Sequence, residues 1–324
     1  MEEKKVSRYE SILSGICGGL YDYIKKYQIR TLVLGLSGGL DSTVCAAICN
    51  MVVNDFNTTD NGFKIKLIGV GLPCSTNTKE EQDNEARCGS FCDEYVSENI
   101  QRLYEAALET CEHANFESTN ISKGNIKARL RMLYLYNVAS TQKGIVIDTD
   151  NLTEHYLGFW TIHGDDGDLN PIGCLWKTEV YELAEYIKSV YQKMYDECVL
   201  EPDSAVYEYH YKNKLEMQIQ ALQHAIDITP TDGNGVKEGG DLAQIAPGYT
   251  YFDVDKVLRK YLVEQHYDYF DEEDELIDMI SNDYGIDRDT VVGIINRYHN
   301  SQYKRLHRPL VITTTGRVVE KHEA

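Results

Sequence analysis

The chain has 324 residues and is 42% hydrophobic, enough for a large buried core, yet no segment approaches the roughly 20 apolar residues that span a bilayer. Lys and Arg number 32 against 52 Asp and Glu, a net charge of −20, which excludes long nucleic-acid backbones as the main partner and leaves room for a small anionic ligand. Nine cysteines without a CxxC pair read as reduced thiols, and Met1-Glu2-Glu3-Lys4-Lys5 carries no apolar signal stretch, so a cytoplasmic protein is expected.

Apolar positions at helical spacing from Ser7 to Lys26 (Ile12, Ile16, Leu20, Ile24) predict a helix ahead of the first strand. Thr31-Leu32-Val33-Leu34 is short and partly β-branched, which predicts a buried strand. Gly35 ends it, Ser37-Gly38-Gly39 supplies a turn, and Asp41-Ser42-Thr43 opens an apolar-periodic helix (Val44, Ala47, Ile48, Met51) that Ser42 is placed to cap. Strand, glycine turn and helix N-terminus together present bare backbone N–H groups and a positive dipole end to an anion. An aspartate inside such a nest needs a cation as well. A polyphosphate carrying Mg²⁺, with Asp41 as a ligand, satisfies both. The plain alternative is a glycine-rich turn in an ordinary βα unit. The Walker pattern is excluded, because no Gly-Lys-Ser/Thr follows.

Farther along, Asn54 to Gly62 is polar and reads as a connection, and Lys64 to Leu72 as a second strand. Thr78 to Glu98 reads as a helix capped by Thr78, with Glu80 and Glu81 in its first turn. Cys45/Cys49 and Cys88/Cys92 sit at helical spacing and read as packing. In Gly124 to Met132, Asn125, Lys127, Arg129 and Arg131 share a helix start, and alternate basic residues do not form one solvated stripe. The apolar Leu130, Leu133 and Val138 are expected to be buried. Ile145-Val146-Ile147 predicts a strand ending in Asp148, Thr149, Asp150 and Asn151, which read equally as a plain helix cap or as a set that binds metal and nucleotide, with Glu154 one turn into the next helix and well placed to meet a cation held by Asp41. Gly158 to Lys177 is turn-rich, anchored by Phe159, Trp160, Leu169 and Ile172. Lys177 heads a helix (Thr178 to Ile187) against the dipole preference, which a bound phosphate would offset. The alternation predicts an α/β fold: a Rossmann-like, doubly wound parallel sheet flanked by helices, with ligands beyond the carboxyl ends of the strands.

Ser37 to Ser42, SGGLDS, resembles the pyrophosphate loop of ATP pyrophosphatases, which cleave ATP between the α and β phosphates. With NIKARLRM (125–132), DTDNLTE (148–154) and DLNPIG-x-L-x-KTEV (168–180), the chain resembles ammonia-dependent NAD synthetase over about Leu32 to Leu183, and again at Thr229–Asp255 and Lys304-Arg305. The resemblance implies an adenine nucleotide alpha-hydrolase-like fold and ATP-dependent amidation of nicotinic acid adenine dinucleotide (deamido-NAD). The reaction it implies runs through an adenylate, releases AMP and pyrophosphate, and takes ammonia as nitrogen donor.

It also implies roles. Leu36, Ser37, Gly38, Gly39, Asp41, Ser42, Thr149, Lys177 and Thr231 would hold ATP, with Asp41 and Glu154 on Mg²⁺. Asn125, Arg129, Arg131, Phe159, His163, Asp168, Lys304 and Arg305 would face deamido-NAD. Catalysis would fall to Asp41, Lys177 and Asp165, the last taking a proton from the attacking ammonium. A homodimer is implied, with Arg129–Ala139 a candidate for its interface. The expected organisation is a single domain over 1–324, with a mainly helical C-terminal part and no nitrilase or glutaminase domain, so free ammonia is the expected donor.

The chain departs from the family pattern in several places. The family's YGDGGxD is His163-Gly164-Asp165-Asp166-Gly167-Asp168 here, one residue shorter, which leaves open which aspartate takes the family loop role. An insert covers about 191–228, including a tyrosine-rich segment Tyr207 to Ala225 that reads as helical. Asp232 to Gly240 reads as mobile, and Asp271 to Glu275 as a solvated helix start. The alternative functions are another pyrophosphate-loop enzyme, such as a tRNA thiolase or GMP-synthetase-like enzyme, or a degenerate homologue that binds nucleotides without catalysis.

Overall fold

The structure, a computed structural model, describes residues 2–74, 78–112, 117–198, 205–228, 242–264, 273–306, 310–312 and 318–320. Helix α1 (Glu2–Tyr27) leads into β1 (Thr31–Gly35), and then come α2 (Leu40–Thr58), β2 (Lys66–Gly71) and α3 (Lys79–Cys88). After a 3-10 turn at Gly89–Phe91 follow β3 (Glu94–Ser97), α4 (Gln101–Glu112), α5 (Asn120–Thr141), β4 (Gly144–Ile147) and α6 (Leu152–Leu157). The long helices α7 (Lys177–Glu197) and α8 (Ala205–Asp227) complete this part of the chain. The strands form one parallel sheet in the order β3-β2-β1-β4, with Leu32 opposite Leu67 on one side and Ile145 on the other. This is the Rossmann-like α/β fold that the sequence predicts.

Both faces of the sheet are covered over β1, β2 and β4, which are largely apolar rather than alternating, while the edge strand β3 (EYVS) is mostly exposed. Leu32, Leu34, Leu67 and Ile147 face the cluster built with Ile24 of α1, Val44, Ile48 and Phe56 of α2, Leu183 and Ile187 of α7, and Leu222 of α8. Val33, Ile68, Val70 and Val146 face the opposite way, onto Met132, Leu135 and Ala139 of α5. The carboxyl ends of β1, β2 and β4 therefore open along one edge, between the two helical layers.

The C-terminal part adds α9 (Leu242–Ile245), α10 (Tyr251–Glu264), α11 (Glu273–Tyr284), α12 (Arg288–Asn300) and α13 (Gln302–Arg305), then an antiparallel pair β5 (Leu310–Ile312) and β6 (Val318–Glu320). Val254, Leu258, Ile280, Val291 and Ile294 build a separate apolar cluster around Leu157, the last residue of α6. That contact brings the helical part against the strand ends. Among the described residues, no helix is long and apolar enough to cross a membrane.

Several expectations are corrected. The segment expected to connect at Asn54 to Gly62 continues α2 to Thr58, because Phe56 still has a core to fill. The helix expected over Thr78 to Glu98 does carry the Thr78–Glu81 capping box, but stops at Cys88. Its remainder turns at Gly89 and pairs as β3 with Ile68–Gly71, since parallel ladder bonds outweigh local helix preference there. Ser42 does not cap α2: Gly39 takes that place with no side-chain cap. Leu133, expected to be buried, is 61% exposed. The tyrosine-rich segment is helical within α8, which makes up most of the expected insert, and residues 191–197 are the end of α7. Thr231, residues 232–240 and the first two residues of the acidic run lie outside the described residues; its last three start α11.

Candidate active site

The turn from β1 to α2 forms the anion nest. Gly38 has φ +77, and a Cβ there would come within 2.8 Å of Asn84 Cβ on α3, so only glycine fits both the conformation and the space. Ser42 Oγ donates to Gly39 O at 3.2 Å and lies 3.0 Å from Ser37 Oγ, which accepts from Gly39 N at 3.2 Å. The two serines thus brace the loop from inside. Leu36 is buried beneath it, with its N–H on Val70 O at 2.9 Å.

Asp41, in the first turn of α2, meets two groups from β4–α6 and α7. Asn151 Nδ2 donates to Asp41 Oδ1 at 3.0 Å, and Lys177 Nζ donates to Asp41 Oδ2. The same ammonium reaches Glu154 Oε1 at 3.4 Å. Asn151 owes its place to a capping box: it is the N-cap of α6, and Glu154 reaches back to its N–H. Lys177, only 3% exposed, starts α7, where its charge opposes the helix dipole. A bound phosphate is not needed to explain it, because Asp41 and Glu154 already compensate it. Burial alone would lower the Lys177 pKa, yet these two carboxylates hold it well above its ordinary value. Glu154 moves to about 7, chiefly by burial, with Lys177 pulling it down and Asp41 pushing it up.

A cavity of about 390 Å³ is lined by Asp148, Asp150 and Asp166 together with His163, Lys304 and Arg305. Burial raises the carboxyls of Asp148, Asp150 and Asp166, and the Asp150 shift is reinforced by its acidic neighbours. Asp165 sits behind, its Oδ2 accepting from Thr161 N at 2.6 Å; burial raises its pKa, while Thr161 and Arg131 oppose the shift. Asn125 accepts from the Thr161 hydroxyl at 2.8 Å, and Arg129 donates to Ile162 O at 3.2 Å, so both shape this loop from α5. Arg131 donates to Leu72 O at 3.2 Å, facing the end of β2. Thr149 is half-buried at the end of β4.

Other residues expected in the site also hold the structure around it together. Asp168 accepts from Val146 N at 2.8 Å and from the Tyr136 hydroxyl at 3.2 Å, which ties the loop to the sheet edge. Phe159 packs on the C-terminal cluster beneath the Arg297 guanidinium. Lys304 Nζ donates to Gly158 O at 2.7 Å and to Trp160 O, and Arg305 Nη1 to Tyr156 O at 2.7 Å. This basic pair lines the cavity while capping the C-terminal carbonyls of α6.

Three residues carry roles that the sequence does not assign to them. Asn151, the second partner of Asp41, was visible only as one of several polar residues. Asp148 accepts from Asp150 N at 2.8 Å, Gly167 N at 3.1 Å and Asn170 Nδ2 at 2.9 Å, and so fixes the short HGDDGD loop. Glu85 is 3% exposed beside the nest, its Oε2 without a hydrogen-bond partner among the described residues. Nothing in its helical, acidic surroundings (KEEQDNEARC) marked it as buried.

Among the described residues, no group of three or more His, Cys, Asp and Glu side chains is arranged to hold a metal ion. Two hard carboxylates, Asp41 and Glu154, do converge on one cationic atom. Such a pair fits Mg²⁺, which takes one or two protein carboxylates and completes its shell with water and substrate phosphates.

A model of the NAD synthase family matches residues 12–219. The NH(3)-dependent NAD(+) synthetase of Limosilactobacillus fermentum is 34% identical over 180 residues, 54% of this chain and 65% of that protein's length. Its namesake from Campylobacter jejuni is 32% identical over 181 residues, 55% of this chain and 68% of that one. Among solved structures, an NMN synthetase from Francisella tularensis superimposes with TM-score 0.65 at 23% identity, covering 93% of this chain and 97% of that one. The Campylobacter jejuni NH3-dependent NAD synthetase gives 0.61 at 21%, covering 94% and 98%. The structural likenesses speak for the fold alone. The family match extends over most of the chain and takes in the nest, Asp41, Glu154 and Lys177, and the chain belongs to the NAD synthase family.

Proposed function

We propose that the chain is a ligase that converts deamido-NAD to NAD with ATP and ammonia. The observation that carries the reading is the convergence of Asp41, Glu154 and Lys177 at the mouth of the SGGLDS loop. In the first step a carboxylate oxygen of deamido-NAD bonds to the α-phosphorus of ATP, and the bond to the β-phosphate oxygen breaks. The N–H groups of the nest and the N-terminus of α2 receive the pyrophosphate as its charge grows, and Lys177 neutralises part of it. Mg²⁺, held by Asp41 and Glu154, would add a compact positive charge to the same leaving group. In the second step ammonia attacks the acyl carbon and AMP leaves. Asp165 takes the proton released; a raised pKa makes a carboxylate a better acceptor near neutral pH. Deamido-NAD lies along α5 and the 158–168 loop, where Asn125, Arg129, Arg131 and His163 gather.

The chain acts as a homodimer. Leu133 and Tyr136, one turn apart within the Arg129–Ala139 stretch of α5, are 61% and 40% exposed, apolar surface that a second copy would cover. All nine cysteines are free, which fits a reducing compartment such as the cytoplasm.

The test is the release of AMP and NAD from deamido-NAD, ATP and Mg²⁺, with ammonium and then with glutamine. NAD with ammonium alone is expected. AMP without NAD would replace the acceptor in this reading, and bound ATP with no AMP would turn it into nucleotide binding without catalysis. Because the Francisella relative is named an NMN synthetase, the mononucleotide acid is run in parallel, and a preference for it would move the substrate assignment.

A further inference from the structure

Asp255 of α10 belongs to the C-terminal helices, carries none of the roles above, and is 2% exposed. A carboxylate taken this far from water is costly unless each oxygen has a donor. Oδ1 accepts from the Thr153 hydroxyl at 2.6 Å, and Oδ2 accepts from Thr178 N at 2.9 Å. The Thr153 oxygen in turn accepts from Lys177 N at 2.9 Å. The first N–H groups of α7 are thus satisfied by α10 and α6, since its N-cap, Trp176, has no oxygen to offer. An anion at a helix N-terminus also suits the dipole. The charged group facing Asp255 is Arg259, one turn along α10, which donates to Thr178 Oγ1 at 3.4 Å and pairs with Glu179.

The residues Asp255 joins are neighbours of the functional ones. Thr153 precedes Glu154, and Thr178 follows Lys177. One buried carboxylate therefore fixes how far the helix carrying Glu154 stands from the helix carrying Lys177. We propose that Asp255 is a positioning residue: its two hydrogen bonds lock α6 to α7 and set the Glu154–Lys177 spacing that receives ATP pyrophosphate with its magnesium. The inference rests on the ligase reading for what occupies that space.

Asp255→Asn keeps the size but cannot accept at both ends. Binding of MgATP to the full chain, followed by calorimetry, reads the site without turnover. Kd should rise at least about tenfold, the loss expected when a buried hydrogen bond to a charged group goes, while the KM for deamido-NAD stays within about twofold. Thr153→Val should weaken MgATP in the same way, and Thr153→Ser should restore it, which keeps the test alive if Asp255→Asn folds poorly. Asp287→Ala is the control, because it removes the N-cap of α12 and lowers Tm without touching the α6–α7 junction.

Unchanged MgATP binding in Asp255→Asn and Thr153→Val would overturn the proposal. So would losses of MgATP affinity, deamido-NAD affinity and Tm in the proportion seen for Asp287→Ala. If the unaltered chain binds MgATP but makes no NAD, the ligase reading fails and the Kd comparison still judges Asp255.

Discussion

Lys177 is the residue on which the site turns. It separates two carboxylates that would otherwise repel, and its charge is the one the pyrophosphate would meet. Lys177→Met should cut pyrophosphate release by about 10²- to 10³-fold, the scale of losing one preorganised donor to a developing anion. It should also destabilise the ligand-free chain by about 3–5 kcal/mol at pH 8, because Asp41 and Glu154 lose their partner. A variant that releases pyrophosphate at the normal rate would remove Lys177 from the mechanism. Glu85 makes a separate prediction. Burial holds it at about 7 against an ordinary 4.5, so between those values the folded chain carries more protons than the unfolded one. Stability then falls as pH rises through that window, and the whole cost is present above it. Glu85→Gln cannot ionise. Unfolding free energies measured from pH 4 to 8 should show the variant gaining up to about 3 kcal/mol on the natural chain across the window. Parallel curves would mean that Glu85 is no isolated buried acid.

Among the elements, α6 has six residues and carries much of the site, too short to stand unaided. Its start is fixed by the Asn151–Glu154 capping box. Its end is fixed in trans: Gly158 has φ +63, and Arg297 donates to Leu157 O at 2.7 Å and Gly158 O at 3.1 Å. Arg297→Met should cost about 1–3 kcal/mol in urea unfolding, more than a surface arginine would, since it strips the Leu157 carbonyl of its donor and leaves Gly158 O to Lys304 alone. The capping at the start of α6 is legible in the sequence, because Asn151 and Glu154 stand three apart ahead of Leu157. The capping at its end is not, for nothing local to 156–160 announces donors 140 residues away. The same contrast explains the misread stretch after Cys88. β3 exists because β2 is there to pair with, which no window around Tyr95 reveals. The nest was readable because strand, turn and helix lie within twelve consecutive residues. Asp255 and Glu85 were not, since their burial is decided by helices distant in sequence.

At the scale of the whole molecule, the sheet supplies the nest and the C-terminal helices supply the clamp on α6, so the site lies where two apolar clusters meet. The exposed face of α5 completes the picture if two chains associate there. Leu133→Asp should convert a dimer to a monomer in sedimentation velocity while leaving Tm close to that of the natural chain, as Leu133 is outside the core. A monomeric natural chain would remove that interface. The central claim is that the chain forms an adenylate of deamido-NAD on the SGGLDS loop. The most direct measurement uses deamido-NAD labelled with ¹⁸O in the nicotinate carboxylate, with ATP, Mg²⁺ and ammonium, and mass spectrometry of the AMP. With both carboxylate oxygens labelled, the account predicts one ¹⁸O in each AMP, one kept as the amide oxygen of each NAD, and unlabelled pyrophosphate. Unlabelled AMP, or ADP and phosphate in its place, would contradict it.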